Sequence, residues 1–355
     1  MPIRPHKQDI QAVFGPVPSR RLGQSLGIDP IPLKTCNWNC VYCQLGTSAH
    51  VVTERREWIP GSLILEQVEE ALDRHGPGEI DWITLVGSGE PTLHSGIGDV
   101  IRGIKAMTAI PVAVITNGAL LYDAEVRTEL VAADAVLPSL DAGSDRLYRL
   151  INRPHATLSF ERYVEGLIAF RKMYDGRLWL EVMLLQGIND SEEALVDLAR
   201  VIARIEPDAI HLDVPSRPPA EAWVRPASEE GLMRASAILG KTAQVVHPVD
   251  GTFDLGGYGN VVDAVIGIIT RHPMREDQLE RSLARWTSGQ LHEALSQLEA
   301  DGRAQVIERY GVRFWSTARA RYGNRGRHQA GGNDPSGKGR LSHSSGGGGG
   351  PRFDA

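Results

Sequence analysis

The chain has 355 residues, 42% of them hydrophobic, and a formal charge of −6, enough to bury a large core and a smaller one beside it. No apolar run approaches the roughly 18 residues that cross a bilayer, and the segment Met1-Pro2-Ile3-Arg4-Pro5-His6 lacks the hydrophobic stretch of a secretory signal. A membrane role is therefore excluded and a cytoplasmic protein expected, and three cysteines without a signal argue against a disulfide framework.

In chain order, apolar or β-branched runs at 26–31, 80–86, 112–116, 135–140, 178–185 and 209–214 predict six strands. Helical patterns lie between them. In 63–75, for example, Leu65, Val68 and Leu72 recur on one face while Glu66, Glu69, Glu70 and Asp73 fall on the other. Alternating βα units imply a parallel sheet with right-handed crossovers, closed into a barrel or left open.

All three cysteines fall in one loop after the first strand: Cys36, Cys40 and Cys43, a Cys-x3-Cys-x2-Cys run. Three thiolates this close can hold three irons of a [4Fe-4S] cluster and leave the fourth iron open. Spacing alone also allows a zinc site or unpaired structural cysteines, although zinc usually takes four ligands and no second Cys-x2-Cys pair is present. The second strand runs into Gly87-Ser88-Gly89-Glu90-Pro91. A glycine-rich turn at the carboxyl end of a parallel strand lets backbone approach a ligand, and a neighbouring carboxylate can meet a cationic amino group. Alone, the segment reads rather as an ordinary strand-ending turn.

Together, the triplet with Tyr42 before its last cysteine and Gly89-Glu90-Pro91 resemble the signature of the radical S-adenosylmethionine (SAM) superfamily. The resemblance implies an α/β fold, a partial (β/α)6 barrel. Its cofactors would be a [4Fe-4S] cluster on Cys36, Cys40 and Cys43 and SAM bound by Ser88, Gly89 and Glu90, with Tyr42 near the adenine. It also implies reductive SAM cleavage to a 5'-deoxyadenosyl radical and a reductant such as flavodoxin or ferredoxin. In such a barrel the site lies at the carboxyl strand ends, which makes Asn117, Ser139 and Asp141 candidate SAM contacts, although these residue types also populate plain turns. No residue is assigned to the step on the substrate.

The segments 14–23, Asn152-Arg153-Pro154, 187–190 and 217–221 further resemble a branch related to the wyosine-forming tRNA enzymes. Those enzymes are expected to carry a second cluster and a pyruvate-binding lysine; with three cysteines, and only Lys34 beside them, this chain reads as a one-cluster enzyme. Arg20, Arg21, Arg153 and Arg217 fall in segments expected near the barrel mouth and suit an anionic substrate, or else surface ion pairs.

Beyond residue 260 the pattern becomes helix, short helix, a longer helix after Thr287-Ser288-Gly289, and a hairpin at 305–308 and 312–315. This resembles a small winged-helix-like α+β domain. From Arg275 to Ser316 six arginines face seven acidic residues, a poor phosphate footprint, so peptide or protein docking, or packing against the barrel, is preferred there over duplex binding. Residues 318–355 are Gly-, Ser- and Arg-rich, ending in Gly346 to Gly350, and are expected to be a disordered tail. The division is thus 1–260 barrel, 261–317 winged-helix-like domain and 318–355 tail. The substrate reads as RNA, with a peptide or protein as the alternative; from another class, the chain would be a metal-binding winged-helix regulator.

Overall fold

The structure, a computed structural model, describes residues 10–247 and 258–323. Strands β1 (Val13–Ser19) and β2 (Gly23–Ile28) form an antiparallel hairpin. There follow α1 (Gly61–Arg74), β3 (Trp82–Leu85), α2 (Ile97–Met107), β4 (Val112–Thr116), α3 (Ala124–Leu130), β5 (Ala135–Pro138), α4 (Asp145–Ile151) and α5 (Phe160–Arg171). The sheet is completed by β6 (Arg177–Met183), α6 (Glu192–Ile205), β7 (Ala209–Asp213), α7 (Glu229–Leu239) and β8 (Ala243–Val245). Among the described residues its order runs from β1 to β8 without closing, and every pair from β2 to β8 is parallel. The six expected strands are β2 to β7, and the sheet gains one strand at each end. β1 escapes the pattern because Val-Phe-Gly-Pro-Val-Pro-Ser reads as loop, and β8 because it has only three residues.

Strand alternation builds two apolar layers. Val112 and Val114 of β4 and Val136 of β5 face the helices, in one core that also holds Ile64, Val68 and Leu167. Ala113, Ala135 and Leu137 face the lumen, where Leu22 from the β1–β2 turn packs on them. The turn therefore plugs the barrel from within; Leu22 is 2% exposed, and its burial is worth about 2 kcal/mol. Its neighbours follow: Arg21 pairs with Glu181 of β6 at 2.8 Å and with Asp213 of β7, and Arg20 reaches Asp213 at 2.5 Å.

A second core belongs to the C-terminal elements α8 (Val261–Arg271), α9 (Glu276–Ser282), α10 (Ser288–Ala300), β9 (Ala304–Arg309) and β10 (Val312–Thr317). Thr287 caps α10, and Gln290 returns the bond to the Thr287 backbone. β9 and β10 pair antiparallel through Tyr310 and Gly311, both at positive φ, and Met274 exchanges backbone bonds of 3.1 and 2.7 Å with Trp315. The first residues of the expected tail, 318–323, are among those the structure describes. Thr47 donates to the Arg321 carbonyl at 2.6 Å, Tyr322 Oη to the Gln44 carbonyl at 2.7 Å, and Gly323 to the Ala220 carbonyl at 2.7 Å, so residues 318–323 lie against the barrel. The rest of the expected tail, 324–355, lies outside the described residues. Among the described residues no helix is long and apolar enough to cross a membrane.

Candidate functional site

A cavity of ≈ 260 Å³ opens at the carboxyl ends of the strands, lined by all three cysteines together with residues from the ends of β3 to β7 and the β1–β2 turn. The cysteine loop is held by backbone rather than by regular structure. Asn39 donates to the Asn152 carbonyl at 3.0 Å, Val41 to the Ile151 carbonyl at 2.9 Å, and Trp38 packs edge-on against Tyr148 and Tyr163. This explains what the Asn152-Arg153-Pro154 segment does: it anchors the loop.

Every sulfur has a nitrogen donor. Trp38 N lies 3.4 Å and Asn117 Nδ2 3.7 Å from Cys36 Sγ, Asn152 Nδ2 lies 3.8 Å from Cys40 Sγ, and Lys34 Nζ lies 3.0 Å from Cys43 Sγ. Burial pushes the Cys36 thiol up to about 12, with the Glu90 charge adding to it, and carries Cys40 well above its ordinary value. As free thiols these two stay protonated, so thiolate ligation at this place calls for the positive charge of a metal. Among the described residues no three His, Cys, Asp or Glu side chains converge on a single ion position. Sulfurs that each hold a different iron of a cluster need no common point.

The glycine-rich turn closes the other side of the cysteine segment. Glu90 N donates to the Thr35 carbonyl at 2.9 Å and Lys34 N to the Ser88 carbonyl at 2.5 Å. A Cβ on Gly89 would stand 1.9 Å from the Thr35 oxygen, so glycine is demanded there by the neighbouring backbone. The Glu90 carboxylate, 1% exposed, accepts from Thr92 N (3.0 Å), Thr92 Oγ1 (2.6 Å), Thr116 Oγ1 (2.5 Å) and Asn117 N (2.7 Å). Burial raises its pKa against these bonds. The carboxylate is thus engaged in ordering the ends of β3 and β4.

Of the sequence candidates, Tyr42, Gly89, Glu90, Asn117 and Ser139 line the cavity with the cysteines. Two others do not. Ser88 turns away to Asp29, its Oγ donating to Oδ2 at 2.5 Å and its N to Oδ1 at 3.0 Å. Asp141, 2% exposed, accepts from Tyr42 Oη (2.6 Å), Asn152 Nδ2 (2.6 Å) and Met183 N (2.8 Å), a post beneath the site rather than a surface of it. Tyr42 therefore offers its ring, its hydroxyl being spent. Arg20 and Arg217 line the cavity, whereas Arg21 is paired with Glu181 and Asp213 and Arg153 with Glu221 at 2.5 Å. Sequence reasoning assigned nothing to Lys34, Thr116 or Met183. Lys34, beside Cys36, carried a usable signal in its position; Thr116 and Met183 are marked only by standing at strand ends.

Residues 31–199 match the family profile described as Radical SAM superfamily. The chain is 34% identical over 307 residues to a UPF0026 protein of Methanocaldococcus jannaschii, covering 85% of this chain and 94% of that one. It is 44% identical over 229 residues to a protein of Brachyspira hyodysenteriae named GTPase Obg, of whose length it spans 33%. A solved structure of TYW1 with a lysine-pyruvate adduct bound is similar at 15% identity and a TM-score of 0.43, over 84% of this chain and 81% of that one. The chain belongs to the UPF0026 family and carries a radical SAM superfamily domain over residues 31–199; it is an enzyme of SAM-dependent radical chemistry whose cofactors are a [4Fe-4S] cluster and SAM.

Proposed function

We propose that Cys36, Cys40 and Cys43 each hold one iron of the cluster, and that SAM lies against the Gly89 backbone, Asn117 and Ser139, with the Tyr42 ring at its adenine. Reduced, the bound cofactors supply a 5'-deoxyadenosyl radical for hydrogen abstraction from the substrate. The observation that carries this reading is the convergence of three sulfurs, each with an N–H donor, on the cavity that Gly89 and Asn117 also line. The remaining work falls to the chain. The Lys34 ammonium offsets thiolate charge at Cys43, Glu90 fixes the two strand ends, and Val86, Ile115 and Met183 exclude water from the cavity.

The substrate we propose first is RNA, supported by the wyosine-type resemblance and the basic composition of the chain beyond residue 318. A second reading, a peptide or protein, is favoured by one observation. We read α8 to β10 as a winged-helix-like domain, with the Met274 pairing supplying its short third strand, and the exposed face of its α10 presents Glu293 and Glu299 without a basic residue other than His292. That face suits a basic peptide better than a phosphate backbone. The metal-binding regulator falls away, since the family is one of enzymes.

The test is anaerobic reconstitution with iron and sulfide, addition of a chemical reductant or flavodoxin, and assay for 5'-deoxyadenosine. Wild type is expected to bind about four irons and release 5'-deoxyadenosine, whereas Cys40→Ala binds less iron and releases none. Full iron loading of Cys40→Ala would remove that residue from the ligand set.

A further inference from the structure

Three cations line the cavity, and they differ in how they are satisfied. Lys34 is committed to Cys43, and Arg20 shares Asp213 with Arg21 while donating to Ser216 Oγ at 3.2 Å. Arg217 gives one N–H to the Pro273 carbonyl at 2.9 Å, and among the described residues it forms no ion pair. On this wall the guanidinium groups of Arg20, Arg21 and Arg217 face two carboxylates, Asp213 and Glu181, which leaves one positive charge uncompensated. Burial, with the Arg20 charge added, pushes Arg217 down to about 10, the mark of a cation held where it lacks a counter-ion. A guanidinium fork in that state is suited to a planar or tetrahedral oxyanion.

We propose that Arg217 and Arg20, with the Ser216 hydroxyl, form a subsite for a phosphate or carboxylate group of the second substrate. The proposal rests on the radical SAM reading of the same cavity. The alternative occupant is the carboxylate of SAM itself. Against it stands the placement: the groups read as SAM contacts come from the ends of β3, β4 and β5, whereas Arg217 follows β7 and Arg20 rises from the plug turn, with Met183 of β6 lining the cavity between the two sets. Among the described residues the bond to the Pro273 carbonyl is the one that ties the Arg217 side chain to the elements beyond residue 260, so substrate occupancy at Arg217 would be felt there.

The experiment is calorimetric titration of inorganic phosphate into the reconstituted full-length protein with SAM present, repeated with Arg217→Gln and Arg217→Lys. One-site binding is expected in wild type. Arg217→Gln should weaken it by at least about tenfold, as loss of a charge-assisted pair does, and Arg217→Lys by less, since charge remains and the fork is lost. SAM affinity, titrated separately, should stay within about twofold of wild type in both variants. Absence of one-site phosphate binding in wild type, wild-type phosphate binding in the variants, or a SAM affinity that falls as steeply as the phosphate affinity would each overturn the proposal. If Arg217→Gln does not fold, Arg217→Lys alone decides between the same outcomes. Because the titration reads binding and no turnover, a failure of the radical reading shows separately, as missing 5'-deoxyadenosine from wild type.

Discussion

Asp141 and Ser88 illustrate what a side chain's neighbours decide and its type does not. Both stand at strand ends, both are polar, and sequence spacing gives them the same standing as Asn117 and Ser139. Yet Asp141 spends its carboxylate on three donors below the cavity and Ser88 spends its hydroxyl on Asp29. Arg20, Arg21 and Arg153 are drawn into ion pairs by Asp213, Glu181 and Glu221, whereas Arg217 has no carboxylate partner among the described residues. Only the cysteines were legible singly, because their spacing is a covalent fact. His211 gives a residue-scale prediction. It lies in the lumen against Trp179, and burial, helped by Arg21, lowers its pKa from 6.5 to about 4. The folded chain therefore holds neutral imidazole while the unfolded chain takes a proton below 6.5, so the contribution is full above pH 6.5 and is lost as pH falls through about 4. Raised carboxylates such as Glu90 and Asp141 slope the opposite way, and for that reason the comparison must be between variants. His211→Phe, which keeps an aromatic ring on Trp179, should show a smaller fall in melting temperature from pH 6.5 to 4 than wild type; an equal fall removes His211 as its source.

Elements were legible where periodicity was strong. β2 to β7 and α1 appear in place because apolar alternation and the 3.6-residue pattern coincide with burial. The β1–β2 turn was legible only in part: Arg20 and Arg21 fall in a segment expected near the barrel mouth, but nothing in Arg20-Arg21-Leu22 marks Leu22 as entering the lumen. The β3 turn carries the element-scale prediction. Gly89 passes so close to Thr35 that the cysteine segment and the turn are one unit, joined further by Lys34 N to Ser88 O. Gly89→Ala must push the two apart, at a cost of about 1–3 kcal/mol. Urea unfolding of the metal-free protein should show that loss, and reconstituted Gly89→Ala should bind SAM more weakly than wild type at equal iron content. Unchanged stability and SAM affinity would mean that the close approach does not constrain the site.

At the scale of the molecule, the elements α8 to β10 are tied to the site's own scaffolding. Arg271 at the end of α8 reaches Asp29 at 3.2 Å, and Asp29 is the residue that holds Ser88. Gln44, next to Cys43, donates to the Arg271 carbonyl at 2.9 Å and accepts from Tyr322. Asp29 is 5% exposed at its side chain, and burial already raises its pKa against the Arg271 charge. Arg271→Ala leaves its carboxylate with the two Ser88 bonds but no counter-charge, and the expected cost is about 3 kcal/mol. In a double-mutant cycle Asp29→Asn should recover much of that cost; if the two losses simply add, the pair is not coupled.

Among the described residues β1 and β8 form no ladder with each other, and the ion pairs of Arg20 and Arg21 with Glu181 and Asp213 reach across the lumen from the β1–β2 turn to β6 and β7. Backbone ladders are inherited as a block, since any residue can make them and none can alter the spacing. A span made of four side chains can be rewritten one codon at a time. The lumen of this fold is therefore adjustable in width and charge at positions 20, 21, 181 and 213 with every strand register left intact, which is where descendants of one ancestor acting on substrates of different size would be expected to diverge.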